Sequence, residues 1–411
     1  MTRSRLSMPG VFAFSLILIT LIVACGGGDD IGQRAAEPSG VTLAPSAPVP
    51  SGEPRAFAMG FLAVPARLTE AAYVDLFDTA AAGGDVVMIQ RNIPWAEVRG
   101  GLALSSEADA TIDRETALLA ERDLDLIFAI DPWDPADRGE LAGDAPGLGF
   151  ADPAVVEAYL VYVELIVERY APRWIALAVD VDQFAAARPG DLEAFQAAYI
   201  AAYRLVKERA PETLVFVTFQ FEDLQGLVPW GGAHDPQWAL LLRFAAFLDV
   251  LAVSSFPSFI FSFQADIPGE YFSRLQAFNK PIALVPTGYA SEAGRGGVTF
   301  GTSAGQRGFV ERVLGEADDA DWELVVWLAP QDPAFASAAP YDLINHMGLR
   351  DASGADKTAW AVWAAAASRP WQPIARLNGD PPGVAPLGIP ERGVPEPTLP
   401  TPEDSASEDE T

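Results

Sequence analysis

The sequence predicts a (β/α)8 barrel, on two observations. Over 55–374, eight short apolar or β-branched runs alternate with eight amphipathic stretches, the pattern of strands buried under an outer layer of helices. The first run is followed by Pro65-Ala66-Arg67. An open doubly wound sheet, the alternative, usually carries a glycine-rich phosphate turn at that place.

Taken in order, the elements pair off as strand and helix. Strands are expected at 57–64, 85–90, 125–130, 174–180, 213–220, 250–254, 282–285 and 323–328. Each is a short apolar run of strand length. The helices expected after them are 69–82, 108–122, 153–170, 191–210, 236–248, 270–278, 304–316 and 357–367. The third helix is the clearest. Its apolar residues Val156, Tyr159, Leu160, Val163, Ile166, Val167 and Tyr170 recur at helical spacing. No internal repeat appears beyond the β-α alternation.

Composition bounds the function. Lys and Arg number 27 against 56 Asp and Glu, a formal net charge of −29. That balance excludes a nucleic-acid binder, which needs a cationic face, and disfavours docking on anionic lipid. One cysteine excludes a disulfide scaffold and a cysteine-based zinc cluster, and two histidines argue against a multi-histidine metal centre. No metal and no cofactor is expected. His234 and His346 read as ordinary loop residues, and no Gly-x-Ser-x-Gly elbow is present.

Both ends read as appendages. Arg3 and Arg5 precede a 13-residue apolar run at 11–23, too short for a spanning helix, and the pattern is that of a secretory signal. The run ends Leu21-Ile22-Val23-Ala24-Cys25, which resembles the bacterial lipoprotein box. The resemblance implies cleavage after residue 24, acylation of Cys25, and a protein anchored to a membrane of the bacterial cell envelope. Gly26 follows the cysteine, so by the same resemblance inner-membrane retention is not marked. Residues 25–54 read as a flexible tether. Residues 375–411 hold eight Pro and eight acidic residues against two Arg and read as disordered.

In a barrel the site lies where strands end and loops begin. Alternation along strand four turns Ala176, Ala178, Asp180 and Asp182 inward; on strand five Thr218, Gln220 and Glu222; on strand three Ala129, Asp131 and Trp133. Strand two offers Gln90 and Asn92, and strand six Ser254. Trp95, Trp133, Phe256, Tyr289 and Trp327 fall at the same level. Carboxylates with aromatic platforms suit a carbohydrate, because sugar faces stack on rings while hydroxyls take directional hydrogen bonds. Asp180 and Glu222 are the candidate catalytic pair. Gln90, Asn92, Trp95, Asp131, Trp133, Asp182, Gln220, Tyr289 and Trp327 are the candidate binding residues. Each of these, taken singly, also suits helix capping or lid packing.

Four segments resemble the clan A glycoside hydrolase barrels, the endo-galactanase-type branch most of all. They are RYAPRWIALAVDVD, FLDVLAVSSFPSF, NKPIALVPTGYASE and GLRDASGADKTAWAVW. The resemblance implies a sugar-hydrolase barrel acting on a polysaccharide or oligosaccharide. It puts the clan's acid/base glutamate on Asp180, with Val179 before it, and the clan's nucleophile on Pro286, which cannot act as one. Asp180–Phe184 also resembles the strand-four end of family 18 chitinases, but Phe184 stands where their acid belongs. The expectation is a glycan-binding lipoprotein degenerate in hydrolysis. The alternatives are an atypical hydrolase with Asp180 as general acid, and an envelope scaffold without sugar activity.

Overall fold

The structure is a computed structural model and describes residues 52–101, 106–143, 147–227, 234–294, 299–335 and 344–373. The signal, Cys25, most of the tether and the acidic tail lie outside the described residues. Nine strands form one parallel sheet: β1 (Ala58–Leu62), β2 (Val86–Asn92), β3 (Asp125–Asp131), β4 (Trp174–Ala176), β5 (Leu214–Phe216), β6 (Thr218–Gln220), β7 (Leu251–Ser255), β8 (Ile282–Thr287) and β9 (Leu324–Trp327). Their order is β5-β4-β3-β2-β1-β9-β8-β7-β6. The two outermost strands are consecutive in sequence. Only Val217 separates β5, which pairs with β4, from β6, which pairs with β7. Backbone bonds from Leu177 N to Phe216 O (2.9 Å) and Thr218 N to Ala178 O (3.1 Å) bridge the break. The sheet therefore closes as the predicted barrel, with 213–220 as its fifth stave.

The helices are α1 (Glu70–Gly83), α2 (Trp95–Arg99), α3 (Ser106–Ala120), α4 (Pro153–Tyr170), α5 (Val181–Ala187), α6 (Leu192–Arg209), α7 (Phe221–Leu224), α8 (Trp238–Phe244), α9 (Ser303–Asp319) and α10 (Thr358–Ala367). Helix α4 begins where its sequence says. Asp152 accepts the Ala154 N–H, and Pro153 occupies the first turn, where no backbone donor is needed. Two expected helices are shorter. The 236–248 stretch is α8 followed by a 3-10 turn at Ala245–Phe247, and 270–278 is a 3-10 segment over Ser273–Phe278. Strand 174–180 keeps its ladder for three residues before bending at Leu177. Three short helices, α2, α5 and α7, lie where no helix was expected.

Ion pairs run round the outside from helix to helix: Glu70 with Arg114 between α1 and α3, Asp78 of α1 with Arg122 in the turn after α3, Asp113 with Arg169 between α3 and α4, and Glu164 with Arg209 between α4 and α6. Exposed pairs of this kind contribute well under ~1 kcal/mol each. The barrel floor is closed more firmly. Arg55 N donates to Pro370 O and Gln372 N to Arg55 O, both at 3.0 Å. The Arg173 guanidinium lies over Trp174 (4.9 Å) and Trp371 (4.6 Å). The first and last described segments thus meet below the strand starts, at the opposite end from the barrel mouth.

Candidate functional site

The strand-end residues converge, but as a buried network. Gln90, Asp131, Asp180, Asp182, Gln220 and Glu222 are each at most 5% exposed. Asp131, at the end of β3, accepts from both Arg138 Nη1 contacts (2.9 and 3.0 Å), from Gln90 Nε2 (3.1 Å) and from Trp133 N (3.3 Å). Arg138 also donates from Nη2 to Val179 O (2.5 Å). It therefore ties the end of β3 to the chain just before Asp180. Asn92 Nδ2 donates to Asp131 O (3.0 Å) and Trp133 O (2.9 Å), holding the same corner.

Asp180 sits where the chain leaves the barrel wall. Its backbone is left-handed (φ 50°, ψ 56°), an Asn/Asp-tolerant conformation that starts α5. Its amide donates to Thr218 Oγ1 (2.8 Å), and its Oδ1 accepts from Thr218 Oγ1 (3.3 Å) and Ser254 Oγ (3.0 Å). These bonds reach β6 and β7, so the carboxyl faces the barrel interior, as alternation predicts. Burial pushes it up to about 6, against the pull of Arg138 and Ser254 and with the push of Asp131.

The sign of that shift gives a prediction. In the unfolded chain Asp180 titrates near 4. The folded form takes up its proton first as pH falls, so the ionised carboxylate costs stability above about pH 6 and the cost fades toward pH 4. Asp180→Asn keeps the left-handed turn and an acceptor for Ser254. It is expected to raise unfolding free energy at pH 7 by about 1–3 kcal/mol, with the gap closing by pH 4. Urea unfolding at the two pH values checks this, and a variant less stable than wild type at pH 7 would refute it.

Asp182 and Glu222 lie just past strand ends, on α5 and α7. Asp182 Oδ1 accepts from Gln220 N (2.8 Å), while its buried Oδ2 has no partner among the described residues. Burial, then Asp223 and Asp180, hold its carboxyl well above the usual range. Glu222 accepts from Ser255 Oγ and Tyr271 Oη (both 2.6 Å), from Phe256 N (3.1 Å) and from Gln220 Nε2. Burial raises its pKa against these donors. Gln220 Oε1 accepts from Asp223 N (2.6 Å). Glu222 thus anchors the loops after β6 and β7 to each other.

The aromatic residues are also enclosed. Trp95, Trp133, Tyr289 and Trp327 are at most 1% exposed. Trp95 Nε1 donates to Pro132 O (3.0 Å), Trp133 Nε1 to Val179 O (3.1 Å) and Trp327 Nε1 to Met347 O (2.6 Å). Tyr289 packs on Phe309 at 5.3 Å. Trp133 lies past the end of β3, which closes at Asp131, and bridges Leu141, so strand alternation no longer places it. Its ring instead lies 3.9 Å from Phe184, nearly parallel at 9°. Pro286 stands in β8, and its neighbour Thr287 donates to Ser255 O (2.7 Å).

Lys357 and Asp332 were not singled out as site residues in the sequence. Lys357, before α10, donates to Asp332 (2.7 Å) and Ser291 Oγ (2.9 Å), joining the loops after β8 and β9. The pairing of Lys357 with Asp332 has no spacing signature. Both histidines also have a carboxylate nearby: His234 Nε2 is 3.2 Å from Asp223, and His346 Nδ1 is 4.0 Å from Glu292. Among the described residues no group of His, Cys, Asp and Glu could hold a metal ion, and no helix is long and apolar enough to cross a membrane.

No family model and no curated protein sequence matches the chain. Solved structures do. GH5_18 from Bifidobacterium longum subsp. infantis is 17% identical, with 78% of this chain and 81% of that one covered and a TM-score of 0.58. A variant of GH5_18 from Bifidobacterium longum subsp. longum, in complex with Manβ1-4GlcNAc, is 16% identical over 77% and 80% at 0.56. An exo-β-1,4-mannosidase from Opitutaceae bacterium strain TAV5 is 18% identical over 79% and 62% at 0.55. Likeness at this level is one of fold. The chain is a (β/α)8 barrel built like those of glycoside hydrolases.

Proposed function

We propose that this protein is a carbohydrate-binding barrel on a glycoside hydrolase frame, exported and held at a membrane of the cell envelope by an acylated Cys25, with hydrolysis degenerate. One observation carries the reading. At the end of β8, where the resemblance calls for a nucleophile, stands Pro286, and the nearby carboxylates Asp131 and Glu222 are taken up by internal donors. A retaining glycosidase needs two carboxyl groups facing the sugar. The glycoside hydrolase frame, and the bound Manβ1-4GlcNAc in one structural neighbour, support an oligosaccharide or polysaccharide as the ligand.

One observation favours a second reading, an inverting hydrolase with Asp180 as acid. Its carboxyl, raised to about 6, can hold a proton to give near neutral pH. An inverting enzyme needs only a base that activates water. The test is reducing-sugar release by the full-length protein on β-mannans, β-galactans, β-glucans and chitin, beside Asp180→Ala and with binding measured on the same panel. Binding without release is the expected result. Release that disappears in Asp180→Ala would establish the hydrolase. Neither binding nor release would leave an envelope scaffold.

A further inference from the structure

We infer that residues 344–349, in the loop after β9, are an autoinhibitory lid that covers the barrel mouth at the ends of β7 and β8 and must lift before a glycan binds. This rests on the carbohydrate reading above and concerns how that site is reached. Gln90, Asp131, Asp180, Gln220 and Glu222 are each at most 5% exposed, so a ligand reaches them only where part of the cover gives way.

Met347 carries the cover. It is fully buried. A Cβ placed on Gly288 would lie 3.2 Å from Met347 Sδ and 3.3 Å from Phe256 Cε1. Phe256 and Gly288 are the first residues past β7 and β8, and Gly288 stands two residues beyond Pro286. The sulfur therefore sits at two adjoining strand ends. Phe256 beside it donates from its amide to Glu222 (3.1 Å), a member of the strand-end network. An unbranched thioether suits a contact that has to open and close, because it repacks at little cost.

The hold on the segment is polar. Residues 344–349 form no helix or strand. At their base Asp332 N donates to Arg350 O (2.9 Å) and Arg350 N to Pro330 O (3.0 Å), the hinge side. The His346 carbonyl is the catch. It accepts from Ser291 N (2.9 Å), Ser291 Oγ (3.1 Å), Lys357 Nζ (3.3 Å) and Gln306 Nε2 (3.4 Å). Asp332 Oδ1 locks the side by accepting from Gly348 N (2.8 Å) and Lys357 Nζ (2.7 Å), and Trp327 Nε1 donates to Met347 O (2.6 Å). Four donors on one carbonyl exceed its two lone pairs. Gln306 Oε1, buried at the same place, has no partner among the described residues. The closed lid is thus oversubscribed at one oxygen and unsatisfied at another, and lifting it lets water serve both.

The test pairs hydrogen exchange with calorimetric titration of the full-length protein by mannohexaose, β-1,4-galactohexaose, cellohexaose and chitohexaose. The latch variant combines Lys357→Met with Asp332→Asn. It strands neither charge and keeps an acceptor for Gly348 N. In it the amides of Ser291 and Gly348 should exchange about tenfold faster than in wild type, while those of β2 and β3, which open only with the whole fold, stay unchanged. Affinity for the bound sugar should rise about tenfold, because apparent affinity scales with the open fraction. Met347→Ala, which trims the cover and leaves the latch, should also bind more tightly. Unchanged affinity in both variants, for a sugar that wild type binds, would overturn the lid while the carbohydrate reading stands. Ser291 and Gly348 amides that exchange only as slowly as β2 and β3, in wild type and latch variant alike, would overturn it too. No binding of any of the four by wild type or either variant would overturn both.

Discussion

Replacing Arg138 by methionine is expected to destabilise the fold by about 3–5 kcal/mol. The reason is the charge left behind. Arg138 and Asp131 are 1% and 3% exposed, and Arg138 reaches both carboxylate oxygens. Without the guanidinium, Asp131 keeps Gln90 Nε2 and Trp133 N as donors, too little to hold an ionised carboxylate in the protein interior. The second bond, to Val179 O, is replaced in part by Trp133 Nε1, which donates to the same carbonyl. The loss is therefore mainly electrostatic. A double variant that also carries Asp131→Leu should recover much of it, since an apolar pair of similar volume avoids the desolvation penalty. Arg138 is also the largest influence holding the Asp180 carboxyl down, so Arg138→Met should raise that pKa further. Thermal unfolding checks the first expectation, with a drop of about 10 °C. A single variant within a degree or two of wild type, or a double variant no better than the single, would show that the pair carries little.

The barrel was legible because its evidence is periodic. All eight expected strands are present, and 153–170 is helical over its whole length. The joint at Val217 was not legible, because 213–220 reads as one uninterrupted run and changes partner only in three dimensions. The short helices α5 and α7 span seven and four residues, too few for a period to show. Their starts fix where alternation stops. Asp180, still governed by the strand, faces inward as expected. Asp182 and Glu222, one or two residues into helix, are placed by capping turns and loop bonds instead. The convergence of Gln90, Asp131, Asp180 and Gln220 at one level could be read from sequence. Their enclosure could not, because it depends on which loops fold over them. A tryptophan beside a barrel mouth has the same sequence signature whether it faces a ligand or its own protein.

Trp133 offers the clearest test of that distinction. Its ring stacks on Phe184 and meets the edges of Phe150 at 5.6 Å and Phe195 at 5.1 Å. Phe184 and Phe195 in turn pack at 5.5 Å, and Phe150 lies 5.4 Å from Tyr159. This aromatic cluster joins α4, α5 and α6 above the ends of β3 and β4. Trp133→Ala removes the ring on which three others rest and is expected to destabilise by about 3–5 kcal/mol. Trp133→Phe should cost less, about 1–2 kcal/mol, because an aromatic face remains on Phe184 and Val179 O still accepts from Arg138. A sugar platform would behave in the opposite way. Its loss would weaken glycan binding and spare stability. Unfolding and glycan titration on the two tryptophan variants therefore separate the two roles. A Trp133→Ala protein as stable as wild type but unable to bind would show that α5 swings away and that the enclosed tryptophan meets the ligand after all. A destabilised Trp133→Phe protein that still binds as wild type does would fix Trp133 as the plug and place recognition elsewhere.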